Sequence, residues 1–137
     1  MPFALSLCTH RNTACLALSG ASSSVTIVAC QGCSASCKIF ETLNDASQWI
    51  ASCKLNIRDI SHVLDDFLLL VRDKAVIQAQ MNSFLFMCAD IGIPNAPDKT
   101  LQPTQVITFL GLELDSVAMN VRLPVDKLNR CTALIEI

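Results

Sequence analysis

The sequence predicts an α+β fold, an antiparallel sheet with helices on one face. Apolar residues recur at helical period in two long stretches, 34–54 and 73–91. After each stretch comes a pair of apolar or alternating runs joined by a short polar turn, the pattern of a β-hairpin. The order is helix, hairpin, helix, hairpin and a last helix, and antiparallel strands with helices segregated to one face make an α+β sheet. The 137 residues suit a single core, and 52% apolar content excludes a wholly disordered chain.

Residues 1–28 form a leader of Ser, Ala, Cys and Thr in no clear period. The first acidic residue of the chain is Glu41. Val25 to Ala29 has the composition of a strand; otherwise the leader is expected to be weakly structured and to add little to the core. From Ser34, Ile39, Leu43, Ala46, Ile50 and Cys53 recur at steps of four and three, giving one helical face with Ser34 or Ser36 as its cap. Ile60 to Leu64 and Phe67 to Val71 read as buried strands, with Asp65 and Asp66 as the turn between them. Asp73 caps a second helix with the stripe Ile77, Met81, Phe84, Leu85 and Cys88, ended by Gly92 and Pro94. A loop from Pro94 to Pro103 carries Asp98, Lys99 and Thr100. Val106 to Asp115 is a strand, Asp115-Ser116 a turn, and Val117 to Leu123 the returning strand. Pro124 and Asp126 open a last helix with the stripe Leu128, Cys131 and Leu134.

Two adjacent acids on a tight turn have two readings. A turn accepts Asp because its carboxylate bonds nearby backbone N–H groups. The same pair also offers oxygen ligands to Mg²⁺ and half of a two-metal phosphoryl-transfer site. The net charge of −2 supplies no electrostatic footprint for nucleic acid, so such a role must come from local geometry or from other parts of a larger protein. The eight cysteines do not form paired ligand clusters. Cys37, Cys53, Cys88 and Cys131 sit in apolar patterns, where free cysteine behaves as a small hydrophobe. Cys30, Cys33 and Cys37, with Cys53, are the one candidate metal-binding module. Free thiols fit an intracellular chain, cytoplasmic or nuclear. No apolar run is long enough to span a membrane. His10 and Arg11 before a serine-interrupted stretch make a poor signal peptide, so secretion is not expected.

Five segments then line up in order. They are Gly32 to Glu41, Leu64-Asp65-Asp66-Phe67, Gly92-Ile93-Pro94 with Ala96 to Thr100, Phe109 to Ser116, and Arg122 to Leu128. From Gln31 onward the chain resembles the palm of reverse transcriptases, closest to those of retrotransposons that also encode a tyrosine recombinase, the DIRS type. The resemblance implies an incomplete polymerase palm with the start of a thumb over residues 29–137, and RNA-templated DNA synthesis as the family activity. It implies that Asp65 and Asp66 hold Mg²⁺ and that Lys99 approaches the pyrophosphate leaving group. Phe109, Leu110 and Gly111 would grip the primer end. Gln31, Gly32 and Val63 would lie near template and nucleotide. The implied partners are an RNA or DNA template with primer and dNTP.

The departures are specific. Val63 stands where the family usually has Tyr, and Ala29-Cys30-Gln31-Gly32 replaces Leu-Pro-x-Gly. The family takes a third carboxylate from a strand before the glycine segment, yet residues 1–40 contain no Asp or Glu. The expectation is therefore a truncated copy of the enzyme, joined to an unrelated leader near residues 29–31 and inactive alone. The alternatives are a non-enzymatic polymerase remnant, acting as a binding or structural module, and the cysteine-based metal module.

Overall fold

The structure, a computed structural model, describes residues 4–9, 16–20, 23–27 and 34–135. In chain order these form β1 (Ala4–Thr9), β2 (Leu16–Gly20), β3 (Ser23–Ile27), α1 (Ser34–Lys54), β4 (Ile60–Val63), β5 (Asp66–Val71) and α2 (Lys74–Asp90). A 3-10 turn (Pro97–Lys99) follows, then β6 (Leu101–Thr104), β7 (Val106–Phe109), β8 (Leu112–Asp115), β9 (Asn120–Arg122) and α3 (Val125–Ile135). The main sheet has the order β4-β5-β1-β6, with β7-β8-β9 as a second sheet and β2-β3 as a separate hairpin. The α+β class holds.

The core lies between the main sheet and α1 and α2. Phe67 and Leu69 of β5 meet Ile77, Met81, Phe84 and Cys88 of α2 and Ala51 of α1 in one buried cluster. Burial of these side chains drives the packing, at roughly 1.5–3 kcal/mol for each large one. Phe67 and Phe84 sit at its centre with ring centroids 4.9 Å apart. Asp73 caps α2 as its position suggested, accepting a hydrogen bond from the Ala75 N–H at 2.8 Å.

The leader holds the main correction. β1 lies inside the main sheet, antiparallel to β5 on one side and β6 on the other. Ala4, Leu5, Ser6 and Cys8 are buried, so residues 4–8 belong to the core rather than outside it. The Ser6 hydroxyl donates to the Leu101 carbonyl at 2.8 Å, which makes its burial tolerable. Both faces of β1 are covered, so the polar-apolar alternation that announces a half-exposed strand is lacking. The division at residue 28 thus does not separate β1 from the sheet.

Three further readings shift. The buried face of α1 carries Asn44, Ser47 and Ala51, with Phe40 and Leu43 partly buried, while Ile39 and Ala46 are exposed. The face is rotated by about one residue because two polar groups have partners inward. Asn44 Nδ2 donates to the Leu64 carbonyl and the Ser47 hydroxyl to that of Leu43. The strand expected from Val106 to Asp115 breaks at Leu110 and Gly111, both at positive φ (52° and 77°). Two such residues make the tight turn of a hairpin, so β7 and β8 pair through it. The returning strand shortens to Asn120–Arg122, because Asp115 Oδ1 accepts the N–H groups of Val117 and Ala118 and holds a wider turn. α3 buries none of its residues, so Leu128, Cys131 and Leu134 lie exposed.

Candidate functional site

The hairpin of β4 and β5 carries the acids, shifted by one residue from the sequence reading. The turn is Leu64-Asp65, and Asp66 already belongs to β5, paired with Val63. Leu64 takes φ +49° and is exposed, not buried as expected, because its side chain stands on the turn. Phe67 is fully buried and anchors the strand behind the acids. From α1, Asn44 holds the Leu64 carbonyl and Gln48 Nε2 donates to the Ile60 carbonyl at 3.1 Å. One helix therefore holds β4 at its start and the turn at its end.

Asp65 and Asp66 are both half-buried. Partial burial raises the Asp65 carboxyl above its ordinary value, the charges of Asp66 and Glu41 raise it further, and Lys99 opposes them. Two carboxylates and one ammonium thus act on the Asp65 carboxyl. Lys99 ends the 3-10 turn, where its N–H donates to the Ala96 carbonyl at 3.0 Å.

On the other side of the acids runs β1. Its register places Thr9 opposite Asp66 and Cys8 opposite Phe67. A strand that precedes the glycine segment is therefore present beside the hairpin, with Thr9 level with the acids. Burial pushes the Cys8 thiol up to about 11, against a lowering hydrogen bond with Thr100 and with a further rise from Asp66. Cys88 is pushed up to about 12, again mainly by burial. Both thiols stay protonated and unreactive at neutral pH.

Phe109, Leu110 and Gly111 stand at the tip of the β7-β8 hairpin, away from the main sheet's order. Leu110 is exposed. Gly111 has a positive φ, and Lys127 Nζ, which donates to its carbonyl at 3.1 Å, occupies the space a Cβ would take. Val63 is exposed on the edge strand β4. Gln31 and Gly32 lie outside the described residues, as do Cys30 and Cys33. Cys37 and Cys53 are both exposed, against the expectation of apolar burial. They lie in the same helix, about 24 Å apart along its axis. No ion can take both as ligands, which removes the four-cysteine site.

Sequence reasoning missed a second group at this end. Glu41 and Asp45 of α1 face His62 of β4. The available signals were weak: two acids one helical turn apart, and a histidine three residues before the Asp pair.

No protein-family model and no curated protein sequence matches the chain. Solved structures do. A foamy viral protease-reverse transcriptase in complex with double-stranded DNA superposes with a TM-score of 0.64 at 16% identity, over 90% of this chain and 27% of that one. The same type of protein in complex with an RNA/DNA hybrid gives a TM-score of 0.67 at 16% identity, over 90% of this chain and 17% of that one. The fold is that of part of a reverse transcriptase. The chain spans about a quarter or less of the length of these two structures. Among the described residues no helix is long and apolar enough to cross a membrane.

The tension at Asp65 gives a pH prediction. In the folded chain its carboxyl holds a proton more tightly than in the unfolded chain, so ionising it costs native stability. That cost is absent below the unfolded value and grows as pH rises through the unfolded and then the folded value. Asp65→Asn removes it. The variant is expected to melt at a higher temperature than the parent at neutral pH, with the gap closing as the pH falls below the ordinary carboxylate range. Paired thermal scans across pH measure this; a constant gap, or a lower midpoint for the variant at neutral pH, contradicts the reading.

Proposed function

We propose that the chain is the palm portion of a retroelement reverse transcriptase, of the DIRS type, whose reaction is RNA-templated DNA synthesis. The observation that carries the reading is the Asp65-Asp66 pair at the β4-β5 turn, a turn pinned to α1, with the charge of Lys99 acting on Asp65 and a sheet strand alongside. Asp65 and Asp66 are the Mg²⁺ ligands. Bound there, Mg²⁺ lowers the pKa of the primer 3′-hydroxyl and neutralises charge on the transferring phosphate. Lys99 meets the pyrophosphate. The exposed tip at Phe109, Leu110 and Gly111 bears on the primer end, while Val63, Gln31 and Gly32 border template and nucleotide. An RNA or DNA template, a primer and dNTP are the partners, met in the cytoplasm or nucleus.

This chain alone does not extend a primer. Two-metal catalysis needs ions about 3.5–4 Å apart with bridging ligands from more than one strand. β1 offers Thr9 level with Asp66, and residues 1–40 hold no acid. Mg²⁺ demands near-octahedral oxygen ligation, so two acids hold one ion weakly and a second not at all. This favours the second reading as well, a polymerase remnant that binds without catalysis. Primer extension on an RNA template with Mg²⁺ or Mn²⁺, beside an Asp65→Asn, Asp66→Asn control, is expected to show no product from either. Product from the parent chain but not the control overturns inactivity and means that another carboxylate completes the site. Retained binding of the primer-template without extension supports the remnant.

A further inference from the structure

We propose that Glu41, Asp45 and His62 form a binding site for a divalent transition-metal ion of the Zn²⁺ class. The site uses none of the residues assigned to nucleotidyl transfer. His62 Nε2 lies 3.5 Å from Glu41 Oε1 and 3.6 Å from Asp45 Oδ1, and the three ligand atoms all lie within 4.8 Å of one another. Bonds of about 2.0–2.2 Å in a tetrahedron set ligand atoms about 3.4 Å apart, so the histidine already stands at ligand spacing from both acids.

The histidine is built to coordinate. Its side chain is only 6% exposed, yet Nε2 has no hydrogen-bond partner, and neither has the buried Glu41 Oε2. Gln48 explains the ring's orientation. Gln48 Nε2 donates to the Ile60 carbonyl, which turns Oε1 toward His62 Nδ1 at 2.5 Å. An amide oxygen only accepts, so Nδ1 carries the proton. Nε2 is left with its lone pair toward two carboxylates, an arrangement that a cation between them relieves. A ligating histidine typically donates its other N–H to an oxygen in this way. Phe67, stacked on the ring at 5.1 Å, holds its plane. Glu41 and Asp45 are one helical turn apart on α1, so one rigid helix delivers both acids. An imidazole with two carboxylates suits Zn²⁺ or Co²⁺ over Mg²⁺, which prefers oxygen alone. Asp45 is 69% exposed in its side chain, which leaves a fourth position open to water.

The test is titration of the full chain, stripped with a chelator and kept reduced, with Co²⁺ and then Zn²⁺. One equivalent of Co²⁺ is expected to bind with the visible bands of a four- or five-coordinate ion, without thiolate charge transfer, and to be displaced by Zn²⁺. Asp45→Asn, at an exposed position that spares folding, should weaken binding at least about tenfold, as should Glu41→Gln. Gln48→Ala, which frees the ring without removing a ligand, should cost about 10–100-fold. Unchanged affinity in Asp45→Asn and Glu41→Gln overturns the site, as does a charge-transfer band showing cysteine ligands. Absence of saturable binding at millimolar Zn²⁺ also overturns it.

Discussion

Deleting residues 1–9 is expected to abolish the cooperative unfolding transition of the chain. β1 is an inner strand, bonded to β5 on one side and to β6 on the other. Its loss removes buried Ala4, Leu5 and Cys8 and strips the inner edges of both neighbours of their backbone partners. Leu5 alone contributes about 2–3 kcal/mol of apolar burial. Unpaired backbone groups at two strand edges add to the loss. Native domains hold only about 5–15 kcal/mol in total, so the deletion consumes most of that margin. Ser6→Pro separates position from mass. It keeps the chain length but removes a ladder N–H in an inner strand, where proline is not tolerated. Both variants should lose the sigmoidal urea transition that the parent shows by far-ultraviolet circular dichroism. A deletion variant with an unchanged midpoint would mean that β5 and β6 hold the core without β1.

α2 was legible because it has a single exposed and a single buried side. α2 shows its stripe at Ile77, Met81, Phe84 and Cys88, and the stripe is buried. Asp73 stands where a cap must stand, and it caps. β1 was not legible because Ala4-Leu5-Ser6-Leu7-Cys8 mixes small and apolar residues covered on both faces. Such a segment has no period of its own, and its partners lie far along the chain at Val71 and Thr104. The buried face of α1 was displaced by the same kind of cause. Asn44 counts as polar in any pattern, and only its bond to the Leu64 carbonyl makes its inward position favourable.

The candidate site was legible in its residue types and not in its surroundings. Asp65, Asp66 and Lys99 could be named from the sequence, and the structure sets the lysine's charge against Asp65. The strand beside them could not be named, since Thr9 bears no mark of its register with Asp66. His62 stands on β4, an edge strand. Its ring nevertheless lies almost wholly buried against Gln48 and Phe67, which no local pattern around His62 announces.

Phe67→Ala is expected to cost about 3–5 kcal/mol, the range for removing a buried aromatic ring. Phe67 is fully buried, touches Phe84 of α2 at a centroid distance of 4.9 Å, and stacks on His62 of β4 at 5.1 Å. It therefore ties the acidic hairpin to the second helix and stacks on its histidine. A cavity in its place removes the ring contact with Phe84 and the stacking on His62, so the loss exceeds simple transfer of the side chain from water. Phe67→Leu keeps most of the volume and should cost less, because the strand and α2 can close on a smaller apolar group. Urea unfolding of both variants supplies the measurement. The order parent, Leu, Ala is expected at constant slope. Equal stability of the Ala and parent chains would show that the hairpin is not anchored through Phe67. It would also remove the rigid support on which the geometry of Asp65 and Asp66 depends.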